Sequence, residues 1–390
     1  MISVEEALDH LFALVAPLDA ETVPLAHANG RVLADTVIAR RDQPPFAASA
    51  MDGYAVANED VRPGARLAVI GEAAAGHAFA KTVGKGQAAR IFTGAPMPAG
   101  TDLVIIQEDV MRDGDTITLG DNLDIKSHVR PAGTDFKTGD EIKTPRLLGP
   151  SDIALLAAMN VADVPVTRKP NVAIIATGDE LVQPGETPGP NQIIASNSYG
   201  LAALLQNLGA HPRLLPIARD NVKSLELAFD LAEDADLIIT IGGASVGDHD
   251  LVGDVAQAKG MRRAFYKIAM RPGKPLMAGR MGNATMIGLP GNPVSAMVCG
   301  HIFVAPVVRK MLRLGTAPAT RRTATLAKDA GPNGPREHYM RAHLGPDGVT
   351  IFERQDSALL TVLANANCLA VRPIDDPARV QGDPVEIILI

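Results

Sequence analysis

The sequence predicts an α/β protein with β-rich parts before and after its α/β core. Three observations carry this. Between residues 171 and 312, apolar runs of strand length alternate with helical patterns. Such alternation implies a parallel sheet joined by right-handed crossovers. Between 67 and 119, and again from 320 to 390, short apolar runs are broken by Gly, Pro and Asp turns, which reads as β structure.

In chain order, residues 3–17 place Ala7, Leu8, Leu11, Phe12 and Val15 at helical spacing, and Ser3 with Glu6 forms a capping-box signature. Residues 25–34 read as a second helical or connecting segment leading to a strand at 37–39. The stretch RDQPPFAASAMDGYAV (41–56) departs from that pattern. Pro44-Pro45 forbids regular helix, and Asp52-Gly53 is either a hairpin turn or an acid presented on a loop. The β block that follows carries polar candidates at Thr93-Gly94-Ala95-Pro96 and Gln107-Glu108. Next come a glycine loop with Arg130, Gly133 and Asp135, and a short helix at 151–158 with Asp152 in its first turn. Helical patterns flank the β block. It therefore reads as an insert, 43–131, in a discontinuous first domain made of 1–42 and 132–168.

From 171 the expected strands are 172–176, 214–217, 236–241, 264–269 and 285–289. The expected helices are 197–208, 222–233, 251–259 and 293–312, within a domain spanning 169–316. Ser196 or Asn197 caps the first helix and Gly209 closes it; Gly260 ends the third; Asn292 caps the last, with Pro293 at its first position. Residues 284–308 contain no Asp, Glu, Lys or Arg, yet Pro290-Gly291-Asn292-Pro293 interrupts them and His301 and Pro306 follow. That segment reads as strand, turn and buried helix rather than a membrane span. Residues 317–390 form a small β domain, in which Ser357 sits on the longest polar break.

The chain is organised around DLIITIGGASVGDHD (236–250). A buried strand runs into Gly242-Gly243-Ala244-Ser245-Val246-Gly247, and Asp248 and Asp250 follow at once. In an open α/β sheet, ligands sit beyond the carboxyl ends of the strands. Glycines there let backbone N–H groups approach an anion, and a following helix adds favourable dipole charge. Acids beside such a cradle call for a cation, and Mg²⁺ takes one or two carboxylates plus substrate phosphates. A plain glycine-rich turn with solvated acids is the competing reading. Asp179, Glu180, Asp220, Asp248, Asp250, Arg271 and Lys274 all fall just past expected strand ends, which favours a shared site.

Composition narrows the function. The 390 residues suggest roughly two to four domains. Trp is absent, aromatics are 3% and the formal charge is −7, which argues against a nucleic-acid or acidic-membrane surface. Two distant cysteines, Cys299 and Cys368, make neither a disulfide framework nor a thiolate metal site and fit a reducing, cytoplasmic setting. The N-terminus lacks the basic-then-apolar layout of a signal peptide.

Taken together these segments resemble the molybdopterin molybdenumtransferases, the MoeA and gephyrin E-domain type. The resemblance rests on Ser49-Ala50-Met51-Asp52-Gly53-Tyr54-Ala55, Thr93-Gly94-Ala95-Pro96, Arg130 with Gly133 and Asp135, and Thr177-Gly178-Asp179-Glu180-Leu181. It rests equally on Gly242 to Gly247, Pro272-Gly273-Lys274-Pro275 and Leu289-Pro290-Gly291-Asn292-Pro293-Val294-Ser295. The resemblance implies an elongated four-domain homodimer: the discontinuous N-terminal domain, the inserted β domain, a doubly wound molybdopterin-binding α/β domain and a C-terminal domain like a small β-barrel. It implies that molybdate is inserted into adenylylated molybdopterin, with release of AMP, in a cleft shared between subunits. It also implies contact with a molybdopterin adenylyltransferase and with cofactor-delivery proteins, and no nucleic acid or membrane partner.

Carried over by position, the family's acids fall on Asp52, Asp135, Glu180, Asp220 and Asp250, and a basic catalytic position on Lys274. Glu180, Asp220 and Asp250 are the expected Mg²⁺ ligands. The expected substrate contacts are Thr93, Thr177, Gly178, Asp179, Gly242, Gly243, Ser245, Gly247, Arg271, Pro290, Gly291, Asn292, Pro293, Ser295 and Ser357. Gly242 to Gly247 and the start of the 293 helix are expected to offer N–H groups to the pterin phosphate. Arg271 stands where a Lys is common, and its planar fork replaces a point charge. Two alternatives belong to other classes: a molybdopterin adenylyltransferase, and a scaffold of the gephyrin type. Tungstate in place of molybdate is a third, and no residue separates the two oxyanions.

Overall fold

The computed structural model describes residues 1–124, 126–243 and 251–390. Its contacts divide the chain into two units: Met1–Glu21 with Thr167–Ile390, and Thr22–Val166. Helix α1 (Val4–Leu14) begins at the capping box, with the Glu6 N–H donating to Ser3 Oγ at 3.0 Å and the Ser3 N–H to Glu6 Oε2 at 2.7 Å. Its apolar stripe (Ala7, Leu8, Leu11, Phe12) is buried. The carbonyls of its last turn accept from side chains of the same unit: Lys310 Nζ on Phe12 O at 2.6 Å, Arg280 Nη1 and Thr285 Oγ1 on Leu14 O at 2.7 and 2.9 Å.

The 22–166 unit holds a six-stranded sheet made of β1 (Gly53–Val56), β2 (Arg66–Ala73), β3 (Gln87–Ile91), β4 (Leu103–Ile106), β5 (Val110–Asp113) and β6 (Thr116–Leu119), in the order β4-β1-β3-β2-β6-β5. Tyr54, Val56, Leu67, Ala88, Leu103, Ile105, Ile117 and Leu119 form its core. Helix α2 (Pro150–Ala158) follows, with the N–H of its N-cap Gly149 donating to Asp152 Oδ2 at 2.8 Å. Residues 25–34 fold as a single 3-10 turn, Leu25–His27, and a two-residue strand rather than a helix.

The larger unit contains the α/β sheet. Its elements are β7 (Asn171–Ala176), α3 (Asn197–Asn207), β8 (His211–Leu214), α4 (Val222–Asp230), β9 (Leu237–Ile241), α5 (Leu251–Ala258), β10 (Arg262–Tyr266), β11 (Met270–Arg271), β12 (Met277–Met281), β13 (Ala284–Leu289) and α6 (Pro293–Met311). The sheet order is β8-β7-β9-β13-β12-β10. Strands β8, β7, β9 and β13 are parallel, as expected from the alternation. Strands β12 and β10 are antiparallel additions, which corrects the expectation of a wholly parallel sheet. Two strand positions also move. The expected strand at 214–217 lies at His211–Leu214, and Pro216 just beyond it has no N–H to continue a ladder. The expected strand at 264–269 stops at Tyr266, because Lys267 takes φ +71° and turns the chain; Met270–Arg271 then joins a different sheet.

Helix α6 is long and apolar enough to cross a membrane, but 72% of its most apolar window is buried in the protein, as suits a core helix. After it come β14 (Arg322–Thr325), β15 (Glu337–Gly345), β16 (Gly348–Ile351), α7 (Leu360–Ala364), β17 (Cys368–Arg372) and β18 (Pro384–Leu389). They form the sheet β11-β15-β17-β18-β14, with β16 on β15.

Candidate functional site

The parallel register puts the carboxyl ends of β7, β8, β9 and β13 at one edge of the sheet. The β10–β12–β13 hairpins turn the end of β10 to that same edge, since Tyr266 pairs with Met277 and Met277 with Gly288. A cavity of about 1000 Å³ opens there. Of the residues expected in the site, it is lined by Thr177, Gly178, Glu180, Asp220, Gly242, Gly243, Pro290, Gly291, Asn292 and Pro293.

The loops at this edge are tied to one another. Arg219 Nη1 donates to the carbonyls of Asp179 and Leu181 at 2.8 and 3.3 Å, and the Asp220 N–H donates to Asp179 Oδ1 at 3.2 Å. Asp179 thus faces the neighbouring loop and lies outside the cavity lining, where it holds the Asp220 backbone in place. The Glu180 and Asp220 carboxylates have no hydrogen-bond or ion-pair partner among the described residues. Hard carboxylate oxygens of this kind suit Mg²⁺, which completes its shell with water and phosphate. Among the described residues no three His, Cys, Asp or Glu side chains cluster as a metal site. Asp250, the third expected ligand, lies outside the described residues, as do Ser245 and Gly247.

The glycines work differently from a simple phosphate cradle. The Gly178 N–H donates to Ala218 O and the Gly242 N–H to Leu289 O, both at 3.1 Å. At the head of α6, Pro293 has no N–H and the Val294 N–H donates to Ser357 O at 3.0 Å. Among the described residues at this edge, the N–H groups of Gly243, Gly291 and Asn292 have no acceptor and so can face an anion. What the glycines provide is close approach. A Cβ on Gly242 would meet Thr177 O at 2.7 Å, and one on Gly243 would meet Val252 Cγ2 at 2.2 Å. Asn292 occupies the N-cap position of α6, but its side chain makes no cap bond, which corrects that expectation. Asn197 Nδ2 instead donates to Gly291 O at 2.7 Å and fixes the turn from the α3 side.

Several liners went unread in the sequence. Ile193, Ile194, Leu251 and Val252 form an apolar wall, and Asn197 and Asp254 add polar groups. They sit on a short strand and two helix starts, with no motif to mark them. Ser295 is buried on α6 and Ser357 contributes its carbonyl, while the neighbouring Ala358 reaches the cavity. Arg271 ends β11 and Lys274 lies between β11 and β12; neither lines the cavity, though Pro275 beside them does.

Arg271 belongs to a cationic cluster. It pairs in register with His338 across β11 and β15. Arg341, three residues along β15, is fully buried, with Nη2 donating to Asp356 O at 3.0 Å. Its Nε and Nη1, and His338 Nε2, are buried without partners among the described residues. Burial, then the Arg271 charge, pulls Arg341 down to about 10; burial and the surrounding guanidinium groups hold His338 down at about 4. Unsatisfied buried donors are costly. The sequence signal was two arginines and a histidine in REHYMR (336–341), on a strand of a β domain.

The 22–166 unit carries its own polar arrangement. Asp52 Oδ1 accepts from the Thr93 N–H and from Thr93 Oγ1, both at 2.8 Å. Those bonds, backbone first, hold the Asp52 carboxyl below the ordinary range. Asp135 is exposed on its loop, its N–H donating to Gln43 O at 2.9 Å.

Comparison with known proteins accounts for the chain in three blocks. Residues 2–160 match the MoeA N-terminal region (domain I and II), 173–310 a probable molybdopterin binding domain, and 323–390 the MoeA C-terminal region (domain IV). The molybdopterin molybdenumtransferase of Nostoc sp. is 36% identical over 100% of this chain and 94% of its own length. That of Haemophilus influenzae is 38% identical over 80% of this chain and 78% of its own length. A crystal structure of the molybdopterin biosynthesis MoeA protein of Pyrococcus horikoshii superposes with a TM-score of 0.86 at 30% identity, covering 100% of this chain and 99% of that one. With family matches along its whole length and relatives of this identity, the chain belongs to the molybdopterin molybdenumtransferase family.

Proposed function

We propose that this protein inserts molybdate into adenylylated molybdopterin and releases AMP, a step of molybdenum cofactor biosynthesis. The observation that carries the reading is the cavity at the carboxyl edge of the sheet, lined both by apolar side chains and by two carboxylates that have no partner among the described residues. Ile193, Ile194, Leu251 and Val252 suit a flat heterocycle. The Gly243, Gly291 and Asn292 N–H groups suit its phosphate.

Glu180 and Asp220 would hold Mg²⁺, joined by Asp250 from the sequence. When bound, the ion supplies Lewis-acid polarisation of the phosphate bridge and offsets its charge. Asp179 and Arg219 keep the Glu180 and Asp220 loops in register, so that both acids stay turned to the cavity. Arg271, Lys274 and the buried Arg341 would receive molybdate through charge-assisted hydrogen bonds. Arg341 reaches this region through Asp356, two residues before the cavity-lining Ala358. Asp52, Thr93 and Asp135 would act in the same reaction as a second polar group. The dithiolene of the pterin, not a protein thiolate, would ligate molybdenum, in keeping with two buried cysteines.

The reading includes a homodimer whose cleft is completed by the partner subunit, and the four-part division 1–42 with 132–168, 43–131, 169–316 and 317–390. The family matches break at 160/173 and 310/323, in keeping with its boundaries near 169 and 317. A cytoplasmic setting fits the buried free thiols.

The deciding experiment measures AMP release from adenylylated molybdopterin with Mg²⁺, with and without molybdate. Molybdate-dependent release is expected, with a loss of at least about a hundredfold in Glu180→Gln. Formation of the adenylylated pterin from molybdopterin and ATP would instead make the protein an adenylyltransferase. Pterin binding with neither reaction would leave a scaffold.

A further inference from the structure

The arrangement around Asp52 contains one side chain that the proposed chemistry does not use. Arg90, half-buried on β3, donates through Nη1 to the carbonyl of Gly53 at 3.2 Å and through Nη2 to Gln107 Oε1 at 2.6 Å. Its guanidinium lies over two rings, with Cζ 5.0 Å from the centre of Tyr54 and 4.9 Å from that of Phe92. Each of these partners is a neighbour of the Asp52–Thr93 pair. Gly53 and Tyr54 follow Asp52 in sequence, and Phe92 precedes Thr93. Gln107 closes the circuit, because its own N–H donates to the Asp52 carbonyl at 3.1 Å.

Both segments that form the pair are therefore held by one planar cation. A guanidinium can do this, having a rigid fork for two acceptors and two faces for stacking. The result is a carboxylate with one oxygen engaged and its main chain fixed. Asp52 Oδ1 is occupied by Thr93, the Asp52 main chain is pinned through Gln107 and Gly53, and Oδ2 has no partner among the described residues. Arg90 also lies near enough for its charge to favour the ionised form of Asp52, after the two Thr93 bonds.

We propose that Arg90 is a positioning residue: it clamps the Asp52 and Thr93 segments so that the free Asp52 oxygen is presented to the substrate in a fixed direction. The inference rests on the reading of Asp52 as a residue of the transferase reaction. A merely structural arginine in a sheet would affect folding without distinguishing Asp52 from any other group.

The test is a double-mutant cycle on the full-length protein, with molybdate-dependent AMP release as the assay. Arg90→Gln is expected to lower kcat about tenfold or more, the scale of a misplaced catalytic group, with KM for the adenylylated pterin within about twofold. In the Asp52→Asn background the same change is expected to cost nothing further. Arg90→Lys keeps charge and stem but not the fork; it is expected to stay folded and to remain slow. A carbon-13 titration of Asp52 is expected to move up in Arg90→Gln.

Equal slowing by Arg90→Gln in wild-type and Asp52→Asn backgrounds would overturn the inference, as would wild-type turnover in both Arg90 variants while Asp52→Asn is slow. If Asp52→Asn itself turns over at the wild-type rate, the reading of Asp52 falls and the inference falls with it. If Arg90→Gln does not fold, Arg90→Lys decides by the same comparison.

Discussion

Arg341 poses the sharpest problem in the molecule at the level of one side chain. A fully buried guanidinium with two nitrogens unpaired among the described residues is a liability, since taking a charge out of water costs several kcal/mol and only good partners offset it. Burial, then the Arg271 charge, lowers it to about 10, which leaves the guanidinium charged at neutral pH. In the proposed reading a bound oxyanion supplies the missing acceptors. Arg341→Met therefore separates stability from function. The substitution is expected to leave the unfolding free energy unchanged or raised by about 1 kcal/mol. At the same time it removes charge-assisted bonds of about 1.5–3 kcal/mol, roughly ten- to a hundredfold in the KM for molybdate. Chemical denaturation and an oxyanion titration of AMP release check the two halves. A variant that is destabilised with an unchanged molybdate KM would mark Arg341 as structural.

At the level of elements, the site depends on how closely β9 and the start of α5 approach β7. Gly243 has φ +67°, a region that favours glycine, and a Cβ there would press on Val252. Gly243→Ala is thus both strained and crowded. The expected loss is about 1–3 kcal/mol in urea unfolding, together with lower affinity for the pterin because Val252 is a cavity wall. Gly260, which closes α5, is the control within the same crossover. It also has a positive φ, +90°, but a Cβ added there would meet nothing within 4 Å, so an alanine brings strain without crowding and leaves the pterin pocket alone. Equal loss of pterin affinity in both variants would remove the packing argument.

For the whole molecule, the proposed shared cleft predicts complementation. Asp52→Asn and Glu180→Gln disable groups in different units of the chain. If each cleft draws on both subunits, mixed dimers contain one cleft with both acids intact. Two inactive preparations, unfolded and refolded together or co-expressed, are then expected to regain roughly a quarter of wild-type turnover, from half of the dimers being mixed and half of their clefts intact. Light scattering gives the oligomeric state independently. No recovery from a mixture shown to contain heterodimers would confine each cleft to one chain.

Much of this was legible in the sequence because it is local. The capping box of Ser3 and Glu6, the buried runs of β7, β9 and β13, and Pro293 at the head of α6 are each set by neighbours a few residues away. Short-range sterics and periodicity are enough to place them, and the glycine and acid residues at the strand ends follow from the same alternation. What the sequence could not decide is where distant groups meet. The antiparallel strand β12 reads as an ordinary loop until it pairs with β13, and Pro216 and Lys267 shift two strand ends for reasons that only a sheet ladder exposes. The Gly178 and Gly242 N–H groups look available for phosphate until the ladder uses them, and the Val294 N–H is taken by a carbonyl from the C-terminal region. Arg341 reads as a surface charge until the fold buries it on β15. By itself the sequence determined the main alternation of strands and helices and the residue types at the sheet edge. The tertiary structure decided which of those polar groups are already satisfied, because hydrogen bonds between residues far apart in sequence exist only once the chain has closed on itself.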